Sequence, residues 1–402
     1  MPLMTSLLLL VIAARLLGQL FQRIGQPAIV GEMLAGILLG PSAFNFIEAN
    51  ESLSGIADLA VFLIVLQAGL EMDFKSIMSA IFSRRIIVAI LGFFIPLISG
   101  ILVGVLFELE TTRAVFLGLC ISITALPVAI RILQSFNMLE TEIARYSVAT
   151  AIVNDIAALL ILGVILNLKA EEISFTWADL GISIAFTIGK LIILGAIIVS
   201  VGWLTQKLIH RGLHLERIPD RLVNLLGSDA LFGIVIFFSL AFGVVSDMLG
   251  FHFIIGAFFG ALLLDKKLFL ASHYRELERT LGSIGNGFLA PVFFVYLGLE
   301  FAVQELSPFF VSVVLLVSIV SKIYSGWFGG KLLKLNKIDC IGIGIILNGR
   351  GVMELVVAGI GYHKGLIDQA LFSTLVFMGI VTTMITPIMF KRWVMPHKET
   401  PI

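Results

Sequence analysis

Apolar residues fall into thirteen long runs separated by short polar stretches. A helix rises about 1.5 Å per residue, so roughly 20 mostly apolar residues cross the hydrocarbon core of a bilayer. The pattern predicts an all-α polytopic membrane protein. The first run lacks the basic start and cleavage site of a signal peptide and is predicted to remain as a helix. The predicted spans cover residues 3–22, 27–45, 53–72, 86–107, 112–134, 142–167, 177–209, 222–248, 251–265, 281–302, 308–334, 338–362 and 366–391.

The positive charges between the runs predict an orientation. Twenty of the 27 lysines and arginines lie in one set of alternating loops, at the span ends beside those loops or in the C-terminal tail, three lie at the other set, and four lie deeper within spans. Lysine and arginine collect on the cytoplasmic side of membrane proteins. We therefore expect an integral protein of the cell (inner) membrane, with the N-terminus outside and the C-terminus in the cytoplasm.

Composition excludes several classes of protein. The chain is 59% hydrophobic and 13% charged, with a mean hydropathy of +1.07, far from the soluble average. Lysine and arginine balance aspartate and glutamate, so no nucleic-acid partner is expected. Cys120 and Cys340 fit neither a zinc motif nor a disulfide framework, and no cofactor is implied. The partner of this chain is the lipid bilayer.

The two halves of the chain repeat one motif. Residues 62–74 end in Gly-Leu-Glu-Met-Asp-Phe, and residues 293–301 end in Gly-Leu-Glu-Phe. We predict a first repeat at 1–176, a linking seventh span at 177–221 and a second repeat at 222–394. An odd number of intervening spans makes the repeats inverted, as in many secondary transporters. The single unit 1–402 is expected to carry no soluble regulatory domain. Glu71, Asp73 and Glu300 end the motifs and are interpreted as caps or gate residues.

Two spans are interrupted at matching places in the halves. The fifth holds Ser122-Ile-Thr-Ala-Leu-Pro127, where proline removes a backbone donor, and the twelfth holds Asn348-Gly-Arg-Gly351. Paired broken helices indicate the binding site of a transporter, because unwound backbone offers carbonyl groups to an ion. The alternative is a simple kink of the kind common in membrane helices.

Asn154 and Asp155 lie side by side near the middle of the sixth span. An ionisable group at bilayer depth costs at least about 2.5–3.5 kcal/mol by insertion scales, so it is rarely there without a use. A buried carboxylate holds either a proton or a small cation, and that competition is an exchange mechanism. Asn154 cannot titrate, which implies one exchangeable charge per cycle. The alternative is an aspartate satisfied by packing.

Three further charged residues lie inside late spans. Lys322 in the eleventh span needs a partner, and Asp155 or the carbonyl groups at the breaks are available. Arg350 and Glu354 stand four residues apart on one helix face, and we interpret the pair as clamping the broken helix rather than binding the ion.

With these motifs in view, the chain resembles the cation:proton antiporter-2 family. The matching segments occur in order along nearly the whole chain: Val30–Pro41, Ala68–Glu71, Thr124–Val128, Val153–Ala157 and Leu347–Gly351 with Glu354. The resemblance implies the sodium/proton antiporter fold, with two inverted six-helix repeats and crossed broken helices. It also implies a homodimer, a core domain of spans 4–6 and 11–13, a dimerisation domain of the remaining spans, and elevator-like alternating access.

The resemblance also assigns residues. Asp155 looks like the aspartate that binds Na⁺ or K⁺ and carries the proton, with Asn154, Ser122 and Thr124 beside it, and Lys322 resembles the core lysine that serves as a charge partner. Pro127, Asn348, Gly349, Arg350, Gly351 and Glu354 hold the broken helices. Asn154 is similar to the amide of electroneutral members and favours 1:1 exchange, although a core lysine is typical of electrogenic ones.

These observations predict an antiporter, not an enzyme, that exchanges Na⁺ or possibly K⁺ for H⁺. A potassium-efflux antiporter is the nearest alternative, followed by an electrogenic exchanger. An organic-anion symporter would need more polar ligands than the breaks provide. An intramembrane protease needs two facing aspartates, and a passive channel would not couple the two ions.

Overall fold

The computed structural model describes residues 2–72, 82–170, 177–210, 227, 229–264 and 269–397. These residues form helices and their connections, with no strand among them. The α-helices are α1 (Leu3–Arg23), α2 (Ala28–Leu39), α3 (Glu51–Glu71), α4 (Ile86–Leu106), α5 (Thr111–Ser122), α6 (Leu126–Ser135), α7 (Glu142–Ala170), α8 (Trp177–His210), α9 (Asp229–Met248), α10 (Phe253–Leu263), α11 (Ala271–Ile284), α12 (Ala290–Glu300), α13 (Pro308–Leu332), α14 (Lys337–Leu347), α15 (Val352–His363) and α16 (Gln369–Trp393).

The number of predicted spans is confirmed. Among the described residues, ten helical segments are long and apolar enough to cross a membrane, and three shorter apolar helices accompany them. Residues 73–81, 211–226 and 265–268, which comprise predicted inner loops and the adjoining ends of the eighth and ninth predicted spans, lie outside the described part, and so does Asp73. The orientation of the termini stays a prediction.

Both predicted breaks are present. The fifth span divides into α5 and α6 at Ile123–Ala125, with Pro127 in the first turn of α6. The twelfth divides into α14 and α15 at Asn348–Gly351. The amide of Ala125 donates to the carbonyl oxygen of Gly349 at 3.0 Å, so the two breaks touch. The expected crossing of the broken helices is confirmed.

The tenth span differs from its prediction. It begins at Ala271 rather than near residue 281, because α11 is a polar helix that a search for apolar residues does not detect. A π-helical turn at Gly285–Leu289 joins α11 to α12. Pro291 follows this turn, and its missing N–H favours such a widening of the helix.

The chain divides into two compact units. The first comprises Met1–Ala57, Met78–Ala158 and Pro291–Ile402, and it holds both breaks and every candidate site residue. The second comprises Asp58–Ile77 and Leu159–Ala290. The division into repeats and into core and dimerisation domains stays a prediction.

Glycine contacts hold the broken helices against unbroken ones in the first unit. A Cβ added to Gly100 of α4 would lie 2.5 Å from Cα of Gly118 in α5, and one on Gly326 of α13 would lie 2.4 Å from Cα of Gly344 in α14. Small residues allow helix backbones to approach this closely in membranes. The contact between Gly326 and Gly344 lies one helical turn from Lys322, so it fixes the position of that lysine along the helix axis relative to the breaks.

Candidate functional site

Asn154 and Asp155 lie in the buried middle of α7. The Nδ2 group of Asn154 donates to the carbonyl oxygen of Ser122 and to Oγ1 of Thr124, both at 3.4 Å. Oδ1 of Asn154 and Oδ1 of Asp155 have no hydrogen-bond partner in the part of the chain that is described. An unsatisfied buried acceptor costs about 1–3 kcal/mol. These two oxygens of adjacent residues are therefore candidate ligands for a small cation.

The ammonium group of Lys322 donates three hydrogen bonds to oxygen atoms near the first break. Nζ donates to the carbonyl oxygens of Gly92 at 3.0 Å and Ser122 at 2.5 Å, and to Oγ1 of Thr124 at 2.8 Å. Of the two partners that the sequence offered, the carbonyl groups form the hydrogen bonds. Lys322 interacts with Asp155 electrostatically without donating to it.

A proline explains why the carbonyl group of Gly92 is free to accept. In an α-helix this oxygen would bond the N–H four residues later, and that residue is Pro96, inside α4. The same rule applies at the first break, where Pro127 leaves the carbonyl group of Ile123 without its helical donor. Proline thus prepares two carbonyl groups for positively charged side chains.

Arg350 belongs to the second break, and its guanidinium group lies against the first. Nη1 donates to the carbonyl oxygens of Cys120 at 2.6 Å and Ile123 at 2.8 Å, and Nη2 donates to that of Ile121 at 2.5 Å. Nη2 also donates to Oγ of Ser318 at 3.1 Å. The arginine is fully buried. Its planar fork meets three backbone oxygens at the first break, of which that of Cys120 also accepts from the amide of Ile123 at 3.4 Å.

The predicted pair of Arg350 and Glu354 is present at long range. Nε of Arg350 lies 3.8 Å from Oε2 of Glu354, and both side chains are fully buried. Neither Nε nor either oxygen of Glu354 has a hydrogen-bond partner among the described residues. The pair balances charge, while the hydrogen bonds of the arginine go to the other broken helix.

The second break is satisfied by neutral donors. Oγ1 of Thr124 donates to the carbonyl oxygen of Leu347 at 3.1 Å, and Oγ1 of Thr383 donates to that of Arg350 at 2.9 Å. Nδ2 of Asn348 donates to Oγ1 of Thr386 at 3.1 Å. A Cβ on Gly351 would lie 2.9 Å from Cβ of Ala125, so a side chain there would separate the breaks.

The proposed ligands Ser122 and Thr124 both have structural bonds. Oγ of Ser122 donates to the carbonyl oxygen of Leu119 in its own helix at 2.7 Å. Thr124 donates to one break and accepts from Lys322. Both lie within the network around Asn154, and their role as ion ligands stays a prediction.

Several residues of the network were not singled out from the sequence. They are Gly92, Pro96, Ser318, Thr383 and Thr386. The prolines carried a usable signal, because each frees the carbonyl group four residues before it. The threonines carried none, since a threonine in an apolar helix commonly bonds its own backbone, as Thr382 does to the carbonyl oxygen of Met378 at 2.7 Å.

The ligand chemistry of the site is that of a small hard cation or a proton. In the described part of the chain, no three histidine, cysteine, aspartate or glutamate side chains converge on a point that could hold a metal ion. The buried unpartnered oxygens of α7 are those of one carboxylate (Asp155), one amide (Asn154) and two hydroxyl groups (Ser147 and Thr150), within the described residues. Oxygen ligands of this kind suit an alkali cation rather than a transition metal.

Comparison with known proteins gives a consistent result. The family model for the transmembrane region of sodium/hydrogen exchangers matches residues 7–395. The chain is 28% identical over 385 residues to the Na(+)/H(+)-K(+) antiporter GerN of Bacillus cereus, covering 95% of this chain and 94% of the relative. It is 25% identical over 387 residues to a Na(+)/H(+) antiporter of Enterococcus hirae, covering 96% of each.

A solved structure has the same fold. The sodium proton antiporter MjNhaP1 from Methanocaldococcus jannaschii superposes with a TM-score of 0.72 at 19% sequence identity, covering 97% of this chain and 96% of that chain. This likeness concerns the path of the backbone, and it confirms the fold expected from the thirteen spans and two breaks.

Proposed function

The chain belongs to the sodium/hydrogen exchanger family, and we propose that it exchanges one monovalent cation for one proton across a membrane, with Asp155 as the residue that carries both. It is a secondary transporter, not an enzyme. The observation that carries the proposal is the pair of unpartnered oxygens on Asn154 and Asp155, buried beside two crossed helix breaks. The similarity to proteins of Bacillus cereus and Enterococcus hirae that are named as antiporters of Na⁺ and H⁺ supports it.

Exchange follows from the cost of a bare carboxylate at bilayer depth. Asp155 crosses between the two sides either protonated or with a bound cation, because the uncompensated charge is too costly in an apolar core. A cation that arrives displaces the proton, and a proton that arrives displaces the cation. Asn154 supplies a neutral oxygen ligand through Oδ1, which no donor occupies among the described residues.

We propose that this exchange is electroneutral. Asn154 adds an oxygen ligand but no second titratable group. Lys322 donates to two carbonyl groups and a hydroxyl group, and these neutral partners do not depend on the charge of Asp155. We propose that Lys322, held by these three partners, has the same charge at every stage of the cycle. One positive charge then moves in each direction.

We further propose an elevator movement of a six-helix core within a homodimer. The contacts around the breaks join α4, the broken pair α5 and α6, α7, α13, the broken pair α14 and α15, and α16. These helices correspond to spans 4–6 and 11–13 of the proposed core. Side chains that cross-link both breaks favour movement of the site as one body.

Sodium is the proposed cation, with potassium as the alternative. Both ions accept carboxylate and amide oxygens, and they differ in size and hydration. The relative GerN is named as an antiporter of both Na⁺ and K⁺, which keeps a K⁺/H⁺ antiporter as the second candidate.

The test is exchange by purified protein in proteoliposomes. We expect Asp155→Asn to lower dissipation of a pH gradient by Na⁺, Li⁺, K⁺ or Rb⁺ to the level of empty liposomes, with unchanged elution from a sizing column. Asp247→Asn is the matched control, because Asp247 is an exposed aspartate at the end of α9. Exchange retained by the Asp155 variant would contradict the proposal.

Electroneutrality has its own measurement. The exchange rate of the wild-type protein should be unchanged when the membrane potential is clamped at different values, because no net charge crosses. A rate that follows the potential would show more than one proton per cation.

A further inference from the structure

The second Gly-Leu-Glu motif ends beside another helix end, at the face that the charge pattern of the loops predicts to be external. Glu300 is the last residue of α12, and its Oε1 lies 2.8 Å from Nε2 of His363, the last residue of α15. The side chain of Glu300 is 9% exposed and that of His363 is 29% exposed. Protons from the external water can therefore reach an imidazole whose carboxylate partner is shielded.

On another side, α12 is in backbone contact with α2. A Cβ added to Gly298 of α12 would lie 2.2 Å from the carbonyl oxygen of Met33 in α2. One added to Gly36 of α2 would lie 2.0 Å from the carbonyl oxygen of Val295 in α12. Small residues allow this close a contact in membranes, so the two helices form one packed pair. They belong to the second and tenth spans of the proposed dimerisation domain, whereas α15 belongs to the proposed core.

Two further hydrogen bonds join the end of α12 to the core helix α16. The side chain of Gln369 donates to the carbonyl oxygen of Glu300, and the amide of Ala302 donates to Oγ of Ser373 at 3.0 Å. We call these two bonds and the contact between Glu300 and His363 the external latch. The side chains of Gln369 and Ser373 do not titrate. Histidine is the side chain whose charge ordinarily changes between about pH 5 and 8, so the imidazole is the titrating member of the latch in that range.

Other titratable groups surround His363 on the segments that pack near it. α12 contributes the ring of Tyr296, with 5.9 Å between ring centroids, and α15 contributes the ring of Tyr362, at 5.8 Å. α5 packs against α15, and its Arg113 pairs with Asp368 at the start of α16. The remaining charged groups at this end of the first unit are exposed: Glu48, Glu51, Glu110, Glu305 and Lys364. Salt screens exposed charges strongly, whereas it screens the shielded contact with Glu300 much less.

We propose that the external latch is pH-sensitive and holds the core against α12 when His363 is protonated. Protonation adds the attraction between opposite charges 2.8 Å apart beside a shielded carboxylate, and a neutral imidazole keeps only the hydrogen bond. The elevator movement carries α15 and α16 past α12 and breaks these contacts, so a stronger contact slows it. This consequence rests on the proposed function. Acid on the external side therefore slows the exchange, which limits proton entry when protons are abundant outside.

The first Gly-Leu-Glu motif provides a contrast. Oε1 of Glu71 accepts from Nε2 of Gln67 at 2.9 Å within α3, and Glu71 is exposed. That bond lies within one helix, so it survives any movement between helices. The bond of Glu300 to His363 joins two helices and does not.

The experiment measures ²²Na⁺ exchange at saturating Na⁺ in proteoliposomes with equal pH on both sides, at about pH 6 and about pH 8.5, on either side of the range in which histidine titrates. We expect His363→Gln and Glu300→Gln to be several-fold faster than the wild-type protein at the acidic pH and about equal to it at the alkaline pH. His363→Arg keeps its positive charge and should be slow at both.

Arg113→Gln is the matched control, because it removes an ion pair on the same face whose two members both belong to proposed core helices. Its rate should equal the wild-type rate at both pH values. A ratio of His363→Gln to wild type that is the same at both pH values, or a fast His363→Arg variant at alkaline pH, would overturn the proposal.

Hydrogen–deuterium exchange measures the latch without transport. After correction for the intrinsic rate at each pH, residues 301–306, which include the latch amide of Ala302, should be more protected at the acidic pH. His363→Gln should remove that difference, and protection that does not depend on pH in the wild-type protein would overturn the proposal. If the proposed function itself is wrong, wild-type protein will show no coupled Na⁺/H⁺ exchange while the pH-dependent protection persists, so the two failures are distinguishable.

Discussion

The two breaks occupy matching places in the halves of the chain, but their carbonyl groups are satisfied by different chemistry. Those of the first break accept from positively charged side chains, while those of the second accept from hydroxyl and amide groups. Two breaks at equivalent places in the fold are therefore contacted by positively charged groups in one case and by neutral groups in the other. The positive side chains occupy the carbonyl oxygens that an unwound helix would otherwise offer to a cation. The unpartnered oxygens of the network belong instead to α7 and to the second broken span.

This difference makes the first break the more vulnerable one. Charged donors form hydrogen bonds of about 1.5–3 kcal/mol, against about 0.5–1.5 kcal/mol for neutral ones. Substitutions at the two breaks should therefore differ in effect, and the following comparisons test that ranking.

Arg350→Ala should have the largest effect. It removes four hydrogen bonds and leaves Glu354 buried without its positive partner. Breaking a buried pair costs about 3–5 kcal/mol. Thermal unfolding of the protein in detergent micelles measures the loss. Arg145→Ala removes an exposed pair with Glu142 and should change stability by less than about 1 kcal/mol. Equal effects of the two substitutions would refute the ranking.

Lys322→Met should have the second-largest effect. It removes three hydrogen bonds and keeps an apolar side chain, so the free energy of unfolding should fall by about 2–3 kcal/mol in the same measurement. Pro96→Ala sharpens this prediction. It restores an N–H that can donate to the carbonyl group of Gly92, so the loss caused by Lys322→Met should shrink by about 1 kcal/mol in that background. Strict additivity would show that the Gly92 contact contributes nothing.

Thr383→Val should have the smallest effect. It removes one neutral donor from the carbonyl group of Arg350 and should destabilise the protein by about 1–2 kcal/mol. Thr374→Val is the matched control on the same helix, because Thr374 donates to the carbonyl oxygen of Ala370 in its own helix at 2.8 Å. A Thr383 variant that unfolds as easily as the Arg350 variant would remove the distinction between the breaks.

The parts of this architecture that could be predicted from sequence are local ones. Apolar runs predict spans, proline and glycine predict breaks, and an aspartate in an apolar run is conspicuous, so Asp155 and its neighbour could be proposed as site residues. The start of the tenth span was missed, because a polar helix has no hydropathy signal.

The partners of the charged side chains were the part that sequence left open. Lys322 and Arg350 bond to backbone oxygens 200–230 residues away along the chain, and no periodicity encodes such a choice. Pro96 and Pro127 held the one usable clue, since proline identifies which carbonyl group is free. That clue becomes specific only once the helices have packed together.

The large sequence separation between Arg350 and its partners has a consequence for synthesis of the protein. The carbonyl groups that it binds were synthesised 227–230 residues earlier. At a synthesis rate of about 5–20 residues per second, Arg350 is made on the order of 10–50 s after the first break. During that time three backbone oxygens lie at bilayer depth without their final donor, a state that lipid cannot relieve. The emerging N-terminal half therefore needs water or the insertion machinery beside the fifth span until the twelfth arrives, and a ribosome stalled between the two would leave a half-built protein for quality control to recognise.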